Sequence, residues 1–224
     1  MSLSDYRKLI ADLVPDGTGK VSLEATVRAI EAARIRYSGD KPRCVVEDVT
    51  AAGGNDLPLP TAWSADVSRV LAVESPVGAM PPTFVSQEDW LVLAVPGGQA
   101  LRVRYALAAQ AVARITFSAP HVLTESADSI PLLDREAVVC WAASLLCDQL
   151  AASYATNSDA TIQADRVDHT SPSRTWSKQA GIYRQRYFDL LGIDPKLVVA
   201  AGAVVNLDMS DSRGRPRQTH WRDR

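Results

Sequence analysis

The chain of 224 residues holds three cysteines, Cys44, Cys140 and Cys147. None forms a CxxC pair, so neither a disulfide framework nor a zinc clasp is expected. It holds three histidines, His121, His169 and His220, too few and too scattered for a histidine metal cluster. No G-x-S-x-G elbow, H-E-x-x-H, G-x-G-x-x-G or Walker loop occurs. Long apolar runs are missing as well. The longest, Ala137–Cys147, spans eleven residues broken only by Ser144, whereas a bilayer takes about 20. No basic region followed by an apolar stretch opens the chain, so no secretory signal is expected and synthesis in a reducing cytoplasm is. A strong charge of one sign is also lacking, since the net charge is −2. That removes any overall field drawing the chain to nucleic acid or to a membrane.

The small net charge hides an asymmetry. The last fifteen residues carry five Arg against two Asp, which makes +3, so the other 209 residues sum to −5. Apolar residues at 46% and charged residues at 22% are ordinary for a globular chain. The length suits one large domain or two small ones.

Local patterns give the element order. Ser2-x-x-Asp5 fits a capping box ahead of Tyr6, Leu9, Ile10, Leu13 and Val14 at helical spacing. Pro15–Gly19 breaks that helix, and Gly17-Thr18-Gly19 reads as a turn because no strand precedes it. Ser22 caps a second helix with a stripe of Leu23, Val27, Ile30 and Tyr37, where Ala29, Ala32 and Ala33 allow close approach. Gly39 is its expected stop, with Pro42 beyond. From Cys44 the period changes to two. Strands are predicted at Cys44–Thr50, Arg69–Glu74 and Thr83–Val85, with a turn over Ala52–Asp56 and extended chain at Leu57–Pro60. Leu91–Val95 and Leu101–Tyr105 flank Pro96-Gly97-Gly98 as a hairpin, and Val112–Ser118 closes the set with Ala113, Ile115 and Phe117 inward. Helix returns over Leu132–Ala155, apolar on all faces and so in need of enclosure by a bundle or by neighbouring subunits. A last helix starts at Ser171-Pro172, turns Trp176, Ile182, Tyr183, Tyr187, Leu190 and Leu191 to one side, and stops at Gly192.

The fold class expected is therefore α+β: mainly a helical bundle, residues 1–192, with an antiparallel β insertion over about 43–120. An extended C-terminal arm, 193–224, completes the chain with its basic end.

Chemistry-bearing groups are sparse. Asp165, Asp168 and His169 sit in one polar loop, but their spacing matches no calcium loop, and contact with a neighbouring subunit suits them better. Cys140, among Val138, Val139 and Trp141, is expected to be a buried and inert thiol. The arm interleaves Arg213, Arg215, Arg217 and Arg222 with Trp221, a pattern open to a solvated end, to docking on a protein partner or to DNA.

Arg36-Tyr37-Ser38-Gly39-Asp40-Lys41-Pro42-Arg43 is followed by Leu57-Pro58-Leu59-Pro60-Thr61-Ala62-Trp63 and by Val73-Glu74-Ser75-Pro76. Then come Trp90, Cys147-Asp148-Gln149-Leu150-Ala151 and Asp165-Arg166-Val167-Asp168-His169. In order and character these segments, spread over most of residues 1–192, resemble the head–tail connector (adaptor) proteins of long-tailed bacteriophages. The resemblance implies a virion structural protein without enzymatic activity, cofactor or metal. It implies a homo-oligomeric ring of about twelve copies below the portal, around the DNA channel in the neck, with DNA passing without sequence-specific contact. The implied partners are the portal and a tail-side neck or tail-terminator protein, with no membrane. Portal docking would fall to Val204, Val205, Leu207, Arg213, Arg215, Arg217, Trp221 and Arg222. The long basic extension departs from the family's pattern. The alternatives are a tail-completion or other neck protein, a small enzyme working through the Asp165–His169 loop, and a nucleic-acid binder working through the tail.

Overall fold

The computed structural model describes residues 1–17, 19–156 and 172–196. The chain divides into Met1–Ile193 and Asp194–Arg224, and of the second unit only 194–196 are described. The first unit is an α+β body of four helices and two small antiparallel sheets.

Helix α1, Leu3–Leu13, starts as its sequence dictates. Ser2 Oγ accepts from the Asp5 backbone N–H at 3.3 Å, and the Asp5 carboxylate accepts from the Ser2 N–H at 2.9 Å. Tyr6, Ile10 and Val14 point into the core at four-residue steps, while Leu9 faces outward, a departure from the stripe read in sequence. Helix α2, Leu23–Asp40, is capped by Ser22 Oγ, which accepts from Ala25 N–H at 3.1 Å.

The buried side of α2 is not the large-residue stripe. Ala25, Ala29 and Ala33 are buried with Ile30 and Tyr37, whereas Leu23 is exposed. The alanines form the core face because α2 packs on α3, itself alanine-rich at Ala142 and Ala143. Small side chains on both helices let the axes approach. Gly39 is not the stop either. The helix runs through Asp40 and is capped by Lys41, whose N–H donates to Tyr37 O at 2.8 Å. The Asp40 carboxylate, held by Arg36 Nε at 2.7 Å and by the Tyr187 hydroxyl at 2.6 Å, ties down that last turn.

The β part comprises β1 (Arg43–Thr50), β2 (Gly54–Leu57), β3 (Val70–Glu74), β4 (Trp90–Val95), β5 (Gly98–Leu107) and β6 (Val112–Ala119). One sheet has the order β1-β6-β3 and the other β2-β5-β4, all antiparallel. Ala113, Ile115, Phe117 and Ala119 of β6 are fully buried at alternate positions, the period-two pattern predicted. With Val49, Leu57, Val73, Leu101 and Val103 they form a core separate from that of the helices. The hairpin at Pro96-Gly97 is tight, with Val95 opposite Gly98. Gly97 adopts φ +97°, which residues other than glycine rarely do. The turn expected over Ala52–Asp56 is shorter than predicted, because Gly54 already opens β2 and pairs with Leu107. Thr83–Val85 forms no strand but only an isolated bridge, with Phe84 opposite Glu74, the Val85 N–H donating to Val73 O at 2.8 Å and the Ser75 N–H to Thr83 O at 3.0 Å.

Helix α3, Arg135–Thr156, starts three residues later than expected. Leu132–Asp134 is a 3-10 turn behind Pro131, closed by Asp134 N–H to Pro131 O at 3.0 Å. Leu132 and Leu133 are 74% and 86% exposed there, not part of the core. The all-round apolar run is enclosed by the body itself, since eleven α3 residues between Ala137 and Ala151 are buried. α3 is long and apolar enough to cross a membrane by length and composition, but those side chains are used by the core. Helix α4, Pro172–Leu191, lies antiparallel on α3: Ser173 Oγ donates to Ala151 O at 2.8 Å, and Arg186 pairs with Glu136 at the other end. Gly192 stops it at φ +66°, as the sequence indicates. Only Ala180, Tyr183 and Tyr187 of α4 are buried, however, and Ile182 and Leu190 face outward.

Candidate functional site

The densest polar convergence sits where α2 hands the chain to β1 and β6 returns it toward α3. Asp134, 6% exposed, accepts from the Tyr37 hydroxyl at 2.6 Å and from Lys41 Nζ at 2.7 Å. Burial works against its charge, but the Lys41 and Tyr37 hydrogen bonds outweigh it and hold the carboxyl below the ordinary range. Burial, with the Asp134 carboxylate alongside, pushes the Tyr37 phenol well above its usual value.

His121 completes the junction. Its backbone N–H donates to Ser38 Oγ at 2.9 Å, and its ring lies 4.7 Å from the Tyr37 ring. Nε2 meets Lys41 O at 3.0 Å and Nδ1 meets Ser129 O at 3.1 Å. The guanidinium of Arg34 bonds His121 O. Beside it, Arg36 bonds Asp40 and lies over Trp141, with its centre 5.1 Å from that ring. A second knot forms around Asp128, which takes Arg135 at 3.0 Å and the N-terminal ammonium at 3.4 Å. Tyr6 reaches it at 3.5 Å.

Chemically this is a clamp. Oδ2 of Asp134 takes both the Tyr37 and the Lys41 donor, and the ring of His121 is held by Lys41 O on one side and by Ser129 O and Oγ on the other, so both side chains tie elements together. Among the described residues no group of three His, Cys, Asp or Glu is placed to hold a metal ion. Burial pushes the Cys140 and Cys147 thiols up to about 11, far from a nucleophile's range. Gly19 closes the α1–α2 turn through its N–H to Asp16 O, with no strand before it.

Several hollows open on the body, two of them with tryptophan or leucine linings. One, about 580 Å³, is lined by Trp63 and Trp90 with Val70 and Leu71 of β3 and Val92 of β4. Trp63 Nε1 donates to Gln99 Oε1 at 2.9 Å there. The other, about 410 Å³, is an apolar groove between α1 and the start of α3, lined by Leu9, Leu13, Leu132 and Val139, with Asp12 and Glu136 at its rim.

The residues singled out for docking, Val204, Val205, Leu207, Arg213, Arg215, Arg217, Trp221 and Arg222, all lie outside the described residues, as do Asp165, Asp168 and His169. Sequence reasoning missed the clamp, whose members meet across separations of 97 residues for Tyr37–Asp134 and 83 for Ser38–His121. It also missed the groove. The signal available for that was Pro131 directly before Leu132-Leu133, a break that keeps the two leucines off the helical stripe.

No protein-family model matches the chain, and no curated protein does. Among solved structures, a chain described under "Virion of native gene transfer agent (GTA) particle" is 16% identical, with 76% of this chain and 87% of that chain covered. The TM-score of 0.26 is too low for a shared fold, and no assignment rests on it.

Proposed function

We propose that this chain is a virion structural protein of a tailed bacteriophage or a phage-like particle, a head–tail connector. In this reading a ring of copies, about twelve by the family resemblance, sits below the portal around the DNA channel and hands over to a tail-side neck or terminator protein. The observation that carries the reading is the work done by the residues of the resemblance. Arg36–Arg43 supplies Tyr37, Ser38, Asp40 and Lys41 to the junction that joins α2, α3, α4 and the exit of β6. Cys147 and Leu150 of the Cys147–Ala151 segment are core. These side chains join elements and present no reactive group, which suits a part whose task is shape. A body at −5 does not hold DNA in a channel, and an arm at +3 suits an acidic face of the portal.

Truncation after Val205, removing most of the proposed docking residues, tests the reading. The expected result is loss of binding to isolated portal rings, with far-UV circular dichroism and melting temperature unchanged. A truncated chain that binds portal as tightly as the full one refutes the arm's role.

A further inference from the structure

The hollow lined by Trp63 and Trp90 has a volume of about 580 Å³. Pockets that take small organic ligands run to roughly 300–1,000 Å³, with an apolar or aromatic lining and a few polar groups. Both indoles are half-buried, and Trp63 packs against Phe117 of the β core while still lining the hollow. Four exposed polar side chains share the lining: Asp66, Arg69, Gln87 and Gln99.

These polar groups are left over from folding. Among the described residues the side chains of Asp66, Arg69 and Gln87 have no hydrogen-bond or ion-pair partner. Gln99 spends its Oε1 on the indole N–H of Trp63 and keeps its amide N–H groups. The backbone that carries them is tied down. Ser68 N–H donates to Ser64 O at 2.8 Å, and Ser64 N–H to Ser68 Oγ at 2.9 Å. Arg69 is bound through its own N–H and O to Ser118 of β6, each at 2.8 Å. Asp89 N–H closes the turn holding Gln87 by donating to Ser86 O at 2.9 Å.

The set defines its ligand. Asp66 and Arg69 cancel in charge, so a neutral ligand suits the site. Asp66 and the Gln87 carbonyl accept, while Arg69 and the Gln99 amide donate, so the ligand must do both. A hydroxyl does. A proline-rich peptide, the usual guest of an aromatic groove, lacks N–H groups and leaves the acceptors unmatched. Single-stranded nucleic acid needs a basic track, which one arginine beside an aspartate does not make. Sugar rings carry hydroxyls at their edges and C–H groups on their faces, the latter matched to an indole's electron-rich face.

We propose that this hollow binds a neutral oligosaccharide, stacked on Trp63 and Trp90 and hydrogen-bonded by Asp66, Arg69, Gln87 and Gln99. The site lies in the β part and uses none of the residues assigned to portal docking, so sugar binding and portal binding hold or fail separately.

Calorimetric titration of the full chain with maltohexaose, cellohexaose, mannohexaose and the hexamer of N-acetylglucosamine tests this. At least one is expected to bind with Kd of about 10 µM to 1 mM, the weak range an open site gives. In a ¹H–¹⁵N spectrum that sugar is expected to move the indole signals of Trp63 and Trp90, leaving those of Trp141 and Trp176 in place. Asp66→Ala with Arg69→Ala changes two exposed side chains, so the melting temperature is expected to hold while affinity falls about tenfold or more. Failure of every sugar to bind at about 10 mM overturns the assignment. So does a double variant that binds like its parent, or a bound sugar that leaves the Trp63 and Trp90 signals unmoved. Tighter binding of decaproline or of a thymidine decanucleotide than of any sugar, with the same two indole signals moved, also overturns it.

Discussion

Replacing Asp134 by alanine removes the acceptor at the centre of the clamp, and the structure sets the size of the effect. Two partners are lost, and they count differently. Tyr37 is fully buried, so its hydroxyl is left without an acceptor and without water, which costs about 1–3 kcal/mol. Lys41 is half-exposed and rehydrates on release, so that pair contributes about 0–1 kcal/mol. The sum is about 1–4 kcal/mol. In a body of this size that lowers the melting temperature by about 2–16 °C. Urea unfolding followed by circular dichroism gives the free energy. A cycle with Tyr37→Phe isolates the coupling, expected at about 1 kcal/mol or more because the two groups touch. The pH dependence supplies an independent reading. The Asp134 carboxyl is held below its ordinary value, so its contribution is complete above about pH 4 and fades as pH falls through the lower folded value. The alanine variant is expected to lose that part of the acid sensitivity. An Asp134→Ala protein as stable as its parent, or a cycle additive to within about 0.3 kcal/mol, would refute the clamp.

The burial pattern sets two further outcomes. In the native protein near pH 8, iodoacetamide is expected to label Cys44 alone, because Cys140 and Cys147 are buried with thiols raised to about 11; native labelling of either, read by peptide mass, contradicts that. Phe117→Ala, at a fully buried β6 position whose ring lies 6.0 Å from Trp63, is expected to cost about 3–5 kcal/mol. It should also shift Trp63 emission to the red, and a loss below about 1 kcal/mol would place Phe117 outside the core.

Where a structural feature depends on neighbours in sequence, the sequence shows it. The capping box of Ser2 and Asp5, the Ser22 cap, the glycine stop at Gly192, the hairpin at Pro96-Gly97 and the alternation in β6 are all settled within a few residues. The α+β class comes from them by summing local signals. Features that depend on partners far along the chain are not visible that way. Ranking α2 by side-chain size picks Leu23 for the core, when close packing on α3 selects the alanine face. In sequence Asp134 is an ordinary acidic residue near a helix start, and only the fold brings Tyr37 and Lys41 to it. Extending the helical pattern back to Pro131 puts Leu132 and Leu133 in the core, whereas the 3-10 turn there leaves both in water. The docking residues of the arm lie beyond Lys196, outside the described residues.

The pairing of Arg43 with Ala119 has an architectural consequence. The first and last strands of the β part run side by side, so the insertion enters and leaves through one doorway framed by Lys41 and His121. Because its core is separate from that of the helices, everything between positions 43 and 119 behaves as a cassette. It is exchangeable for a short turn, or for another module with adjacent ends, while the helical frame keeps its own packing.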